Sequence, residues 1–202
     1  MTPSLALPPG FAPPDFSAPL DLAGHLAKLG AHAAVKGTVA ATVVDAVNAA
    51  GRPPITSKRF MPFRDYPMAE VLELQVAGAT ALYPGLPIRE GLRRLGADGF
   101  ASFMKTLLGR VMYGVFGNTV SSVFRVANKG FEVMQNTGTV RTIIVDDNAV
   151  KLVFASTYTF LDSHHVGIVE GALAACGRTG VVGVKLESPT DGEIYAAWGP
   201  RK

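Results

Sequence analysis

After Asn136-Thr137-Gly138 the hydrophobic pattern of the chain changes period, and that change limits the fold more than any other feature. Val140 to Val145 and Val150 to Ala155 are β-branched or aromatic-rich runs on either side of Asp146-Asp147-Asn148, a hairpin signature. A helical stretch from about Ser163 to Cys176 follows, with Gly177 at its end. Val181 to Glu187 and Glu193 to Trp198 then flank the turn Ser188-Pro189-Thr190-Asp191-Gly192, which makes a second hairpin. The order is ββαββ. Its simplest closure is a four-stranded antiparallel sheet with the linking helix on one face and an N-terminal helical bundle packed nearby. The expected fold class is α+β.

Upstream the pattern is helical or irregular. Residues 1–20 carry Pro3, Pro8, Pro9, Pro13, Pro14 and Pro19, a density that blocks helix and central strand. They are expected to form an extended arm ahead of a single domain over 21–202, with Phe11 and Phe16 available to dock it on the domain or on a neighbouring subunit. A short helix is expected over Asp21–Leu29, and a longer one from about Thr38 to Ala50 on the stripe Val39, Val43, Val44 and Val47. Asp65-Tyr66-Pro67 reads as the start of a helix that continues to about Leu82, with Pro67 near its first turn. Ile88 to Leu95 reads as a short helix closed by Gly96. Asp98 then reads as the N-cap of a long helix, in which Phe100, Phe103, Met104, Leu107, Leu108, Val111, Met112, Val115 and Phe116 keep helical spacing up to Gly117. A stripe of this kind is ordinarily core. Thr119 to about Gln135 repeats the pattern.

The chain has 202 residues, enough for one well-buried core. Its net charge of +3 is small and its basic residues are scattered, with doublets at Lys58-Arg59 and Arg93-Arg94, which argues against a nucleic-acid partner. Cys176 is the only cysteine and lies in an apolar helical stretch, so a small buried hydrophobe in a reducing, cytoplasmic setting is expected. No signal peptide is visible, and no segment approaches the ~20 apolar residues that span a bilayer.

Catalytic constellations are thin. Asp162-Ser163-His164-His165 contains the residue types of a nucleophile triad, but sequence neighbours seldom face one another. Asp162 or Ser163 more simply caps the following helix, placing His164 and His165 in its first turn. Adjacent histidines diverge on a helix and make poor partners for one metal ion, and no His-Glu-x-x-His, Cys-x-x-Cys, Walker loop or dinucleotide fingerprint is present. No metal and no cofactor are expected. Gly167 and Gly171 are four apart and should give a smooth face for packing on the sheet. Glu170 between them is expected to face solvent, or to need a partner such as Arg110 if it turns inward. Arg110 interrupts an apolar helix and is either surface or an anchor for an anion or a carboxylate.

Asp65-Tyr66-Pro67, Tyr83-Pro84-Gly85-Leu86-Pro87, Arg93-Arg94-Leu95-Gly96, Leu107-Leu108-Gly109-Arg110, the run from His165 to Gly177 and Trp198 together resemble a myxobacteria-restricted family of uncharacterised proteins. The resemblance covers roughly residues 36 to 198, and its most specific part is Glu170-Gly171-Ala172-Leu173-Ala174-Ala175-Cys176-Gly177. The order helices, hairpin, helix, hairpin is also similar to the ligand-binding fold shared by haem nitric-oxide sensors, vinyl-reductase-type effector domains and Golgi vesicle-tethering subunits. That resemblance implies a pocket between the helical part and the sheet, and a homodimer joined through helices. The haem sensors use a proximal His on a helix before the first hairpin and a Tyr-x-Ser-x-Arg motif near the second strand. Here no His lies between His32 and His164, and Ser156-Thr157-Tyr158-Thr159-Phe160 lacks the Arg, so haem binding of that type is not expected.

Three readings follow. The favoured one is a non-enzymatic ligand-binding or signalling domain for a small apolar or mixed-polarity ligand. Its pocket would be lined by Phe103, Leu107, Met112 and Phe154, with Arg110, His164 and His165 as polar candidates. The second is a protein-interaction adaptor with a solid core that engages a protein partner through the arm or an edge strand. The third is a small enzyme using Asp162, His164 or His165 as acid or base.

Overall fold

The computed structural model describes residues 5–105, 109–111 and 119–199. Helix α1 is Leu22–Leu26, capped by the Asp21 carboxylate, which accepts from the Gly24 N–H at 2.8 Å. Strand β1, Ala34–Lys36, leads into α2, Gly37–Ala49. Strand β2, Asp65–Pro67, precedes α3, Met68–Leu82, and α4 spans Ile88–Lys105. After α5, Val120–Arg125, and α6, Ala127–Met134, come β3, Thr139–Asp146, and β4, Ala149–Ala155. Helix α7, His164–Ala175, links them to β5, Gly180–Leu186, and β6, Gly192–Trp198.

The class is α+β, with a four-stranded antiparallel sheet in the order β3-β4-β6-β5. Period-two burial sets its register. Val150 and Leu152 of β4 pair with Ala196 and Ile194 of β6, and all four are buried on the face that the helices cover. The opposite face is cross-linked by Lys151 and Glu193 at 2.9 Å. The stretch of the Pro-rich arm from Leu7 to Ala12 lies on this second face and its edge. Ala12 and Val184 exchange both backbone bonds, at 3.0 and 2.9 Å, which covers part of the open edge of β5. Phe11 stacks obliquely on Tyr195 at 5.6 Å, and Leu7 packs over Gly183, where a Cβ would come within 2.6 Å of its side chain.

Four local expectations are corrected. Asp65-Tyr66-Pro67 is not a helix start: it pairs antiparallel with Ala34–Lys36 as a second, two-stranded sheet, and the helix begins at Met68. Gly96 does not close a helix, nor does Asp98 open one. Helix α4 runs through both, because Gly96 is where α4 meets α7; a Cβ there would sit 2.1 Å from the His164 carbonyl oxygen. The Asp98 carboxylate instead accepts from the Tyr83 hydroxyl at 2.5 Å. The helix expected over Thr119–Gln135 is broken at Val126, where the Phe124 carbonyl accepts from both the Val126 N–H and, at 2.7 Å, the Thr142 hydroxyl. Gly167 and Gly171 do pack closely, but against α4 rather than the sheet: a Cβ on Gly167 would lie 1.8 Å from the Arg93 carbonyl oxygen.

Buried side chains form two clusters. One joins the sheet to α5 and α7 around Leu152, Phe124 and Val166. The other joins β1, β2, α2, α3 and the first half of α4 around Met68, Leu72 and Leu92.

Candidate functional site

A cavity of about 240 Å³ lies where the two clusters meet. Val35 and Val43 reach it from one cluster, Phe124 and Leu152 from the other, and Phe103 and Phe131 lie along it. None of the described lining residues carries a formal charge at neutral pH.

The polar end of the cavity is built by the segment between β4 and α7. Phe160 takes a left-handed conformation, φ 47°, and its carbonyl accepts from the Ser163 and His165 N–H groups at 3.3 and 3.2 Å. That tight turn delivers His164 and His165 together into the first turn of α7. Ser163 holds the N-cap position without a side-chain cap bond, and Asp162 turns away to pair with Arg89, so neither caps the helix as expected. His165 Nε2 lies 2.6 Å from the Thr159 hydroxyl, and its ring is 5.0 Å from Phe154. His164 Nε2 lies 3.3 Å from the amide nitrogen of Gln75, a residue fully buried on α3. Burial pushes both imidazoles down, His164 to about 4 and His165 to about 3, with His164 adding repulsion to the second. Both rings are therefore neutral near pH 7.

The pairing leaves two groups over. Gln75 Oε1 and His164 Nδ1 are buried with no hydrogen-bond partner. Whichever way the amide is turned, it makes one bond with the imidazole and leaves one donor and one acceptor unmatched. Unmatched polar groups in an apolar wall cost about 1–3 kcal/mol each, so a molecule carrying both a donor and an acceptor would be favoured there.

Of the residues singled out from sequence, Phe103, Phe154, His164 and His165 line the cavity. Arg110 is exposed, and Leu107 and Met112 lie outside the described residues. Glu170 is half-buried and pairs with Arg93 at 2.9 Å, not with Arg110. Gln75 and Thr159 were not anticipated. Gln75 had a signal: it continues the buried positions Val71 and Leu72 on α3, and a lone polar residue in such a stripe needs an explanation.

Comparison with solved structures places this fold with the H-NOX domains. The Fe(II) unliganded H-NOX protein from K. algicida matches with a TM-score of 0.60 at 11% identity, over 82% of this chain and 97% of that one. An oxygen-binding H-NOX domain related to soluble guanylate cyclases, solved as its oxygen complex, matches with a TM-score of 0.59 at 14% identity, over 80% and 92%. An H-NOX protein from S. oneidensis in the Fe(II)NO ligation state gives 0.56 at 14%, over 82% and 99%. No curated protein matches the chain. Residues 31–198 match the family described as "Protein of unknown function (DUF2378)", and the chain belongs to that family.

The residues present do not fit the haem that this fold brings to mind. The cavity is smaller than the roughly 300–1,000 Å³ of pockets that hold drug-sized ligands. Its two imidazoles share one end, on the helix after the first hairpin, with their Nε2 atoms engaged by Gln75 and Thr159. Among the described lining residues, the helices before the first hairpin offer an iron only the Met134 thioether.

Proposed function

We propose that this chain is a ligand-binding or sensory domain, and not an enzyme, whose cavity takes a small, neutral, mostly apolar molecule ending in a hydroxyl, an amide or a carboxylic acid. The carrying observation is the buried Gln75–His164 pair with its unmatched donor and acceptor at one end of a mostly apolar space. Neutrality follows from the lining, because an uncompensated charge in such a wall is strongly disfavoured. The H-NOX likeness supports a ligand between helices and sheet and supplies no ligand identity. Acid–base catalysis gains no support from the wall. His164 and His165 are buried and neutral, and Asp162, which could have oriented one of them, is held by Arg89. A homodimer in the cytoplasm belongs to the same reading.

The test is native mass spectrometry of the protein purified from its own host, beside the denatured spectrum. A non-covalent mass released on denaturation is expected, weakened in a Gln75→Leu variant, and the same spectrum reads the assembly state. An apo mass, together with no stabilisation by neutral apolar alcohols, amides or acids in a thermal-shift panel, would remove the proposal.

A further inference from the structure

The connection between α2 and β2, residues 51–64, holds Arg52, Lys58, Arg59 and Arg64 and no acidic residue. The net charge of the chain is +3, so without these four cations the remainder stands at −1. Arg52, Arg59 and Arg64 make no ion pair among the described residues, whereas Lys58 is neutralised by Glu70 at 2.6 Å. The same connection exposes its apolar side chains. Met61 is 52% exposed and Phe63 is 79% exposed, on either side of Pro62. Phe60, next to them, turns inward and packs edge-on against Tyr66 at 4.9 Å.

This exposure is not a consequence of a loose loop. The Met61 N–H donates to the Tyr66 hydroxyl at 2.9 Å, and the Arg64 N–H to the Met61 carbonyl at 3.2 Å. The Pro62 carbonyl accepts from both the backbone N–H and the hydroxyl of Thr38, at 3.0 and 2.8 Å. The Gly37 N–H donates to the Arg64 carbonyl at 2.8 Å. Phe63 is thus held outward by bonds on both of its flanks, and little ordering entropy is left to lose when it is buried.

We infer that this turn is a docking surface for an anionic phospholipid bilayer, with Met61 and Phe63 entering the interfacial layer and Arg59 and Arg64 meeting the headgroup phosphates. Charge complementarity selects an anionic partner. Size selects the bilayer over a protein, since two apolar side chains and a few cations fall far short of the roughly 1,000 Å² that a specific protein interface needs. A lipid surface takes up such a turn through interfacial burial and through attraction worth roughly a fivefold gain in partitioning per basic residue. The inference stands apart from the cavity and does not depend on what fills it.

Cosedimentation of the full chain with vesicles tests it. Binding is expected to vesicles of phosphatidylcholine with one-third phosphatidylserine, weakened at 0.5 M NaCl and absent with phosphatidylcholine alone. Phe63→Ser should lower partitioning at least tenfold, and Arg59→Gln with Arg64→Gln by roughly ten- to thirtyfold. Phe63→Trp adds an independent readout, because Trp198 is only 2% exposed and already shielded from water. The emission added by that substitution should shift to the blue when anionic vesicles are present. Failure to bind anionic vesicles overturns the inference. So does binding that Phe63→Ser leaves unchanged, or an emission spectrum of the Phe63→Trp variant that ignores the vesicles, since either outcome puts any lipid contact elsewhere or assigns the turn to an acidic protein.

Discussion

The amide nitrogen of Gln75 and the Nε2 atom of His164 lie 3.3 Å apart, joining α3 to α7 at a point where both residues are buried. This contact is a side-chain link in the cavity between the N-terminal helices and the ββαββ unit. It ties the geometry of the cavity to the relative placement of those two helices.

Filling the cavity should mimic its ligand. Ala127→Leu adds three carbons to the wall without adding a polar group. The unliganded protein should gain about 1–2 kcal/mol, a rise in Tm of several degrees, and should lose any mass that copurifies with the wild type. Differential scanning calorimetry and native mass spectrometry read the two effects on the same samples.

The buried imidazoles make stability fall with acid. Their folded pKa values, about 4 and about 3, lie below the ordinary 6.5 that they regain on unfolding. Below pH 6.5 the unfolded chain takes up protons that the folded chain refuses, so the contribution is full above that pH and is lost as pH falls toward 4 and 3. Between pH 7 and 5 the loss should be roughly 2 kcal/mol for each ring. Urea unfolding of wild type and His165→Gln at both pH values should show a loss smaller by about that amount in the variant.

The α4–α7 crossing depends on three missing methyl groups, at Gly96, Gly167 and Gly171. Gly167→Ala forces a Cβ against the Arg93 carbonyl oxygen and should cost at least about 3 kcal/mol, measured as a shift in the urea midpoint. Gly99→Ala, on the same α4, meets nothing within 4 Å. It should stabilise by about 0.5–1 kcal/mol, because alanine is the better helix former.

Removing residues 1–19 should expose the β5 edge at Val184 and leave Tyr195 without its Phe11 neighbour. Concentration-dependent association, followed by light scattering, is the expected outcome. A truncated chain that stays monodisperse at high concentration would show that the arm does not guard that edge.

The two hairpins were legible because period-two burial and turn residues such as Asp146-Asp147-Asn148 act within a few positions of one another. The pairing of Ala34 with Pro67 was not, since three-residue strands carry no period and take their identity from each other. Gly96 shows the same limit in another form. A glycine that ends a helix and a glycine that lets a second helix approach look alike until the second helix is in place. Phe103, Phe154, His164 and His165 were reached from a helical stripe, a strand run and a fold likeness, and they line the cavity, whereas Arg110 required knowing which way its helix faces. Gln75 was missed because its partner, His164, lies 89 positions away.

The two apolar clusters of this chain touch across a hollow. A molecule that fills it would be shared masonry between two walls, and the rigidity of the whole would depend on a part the gene does not encode. Backbone amides of α2 and of α5–α6, which both line that gap, should then exchange with solvent together, slowly when it is filled and quickly when it is not.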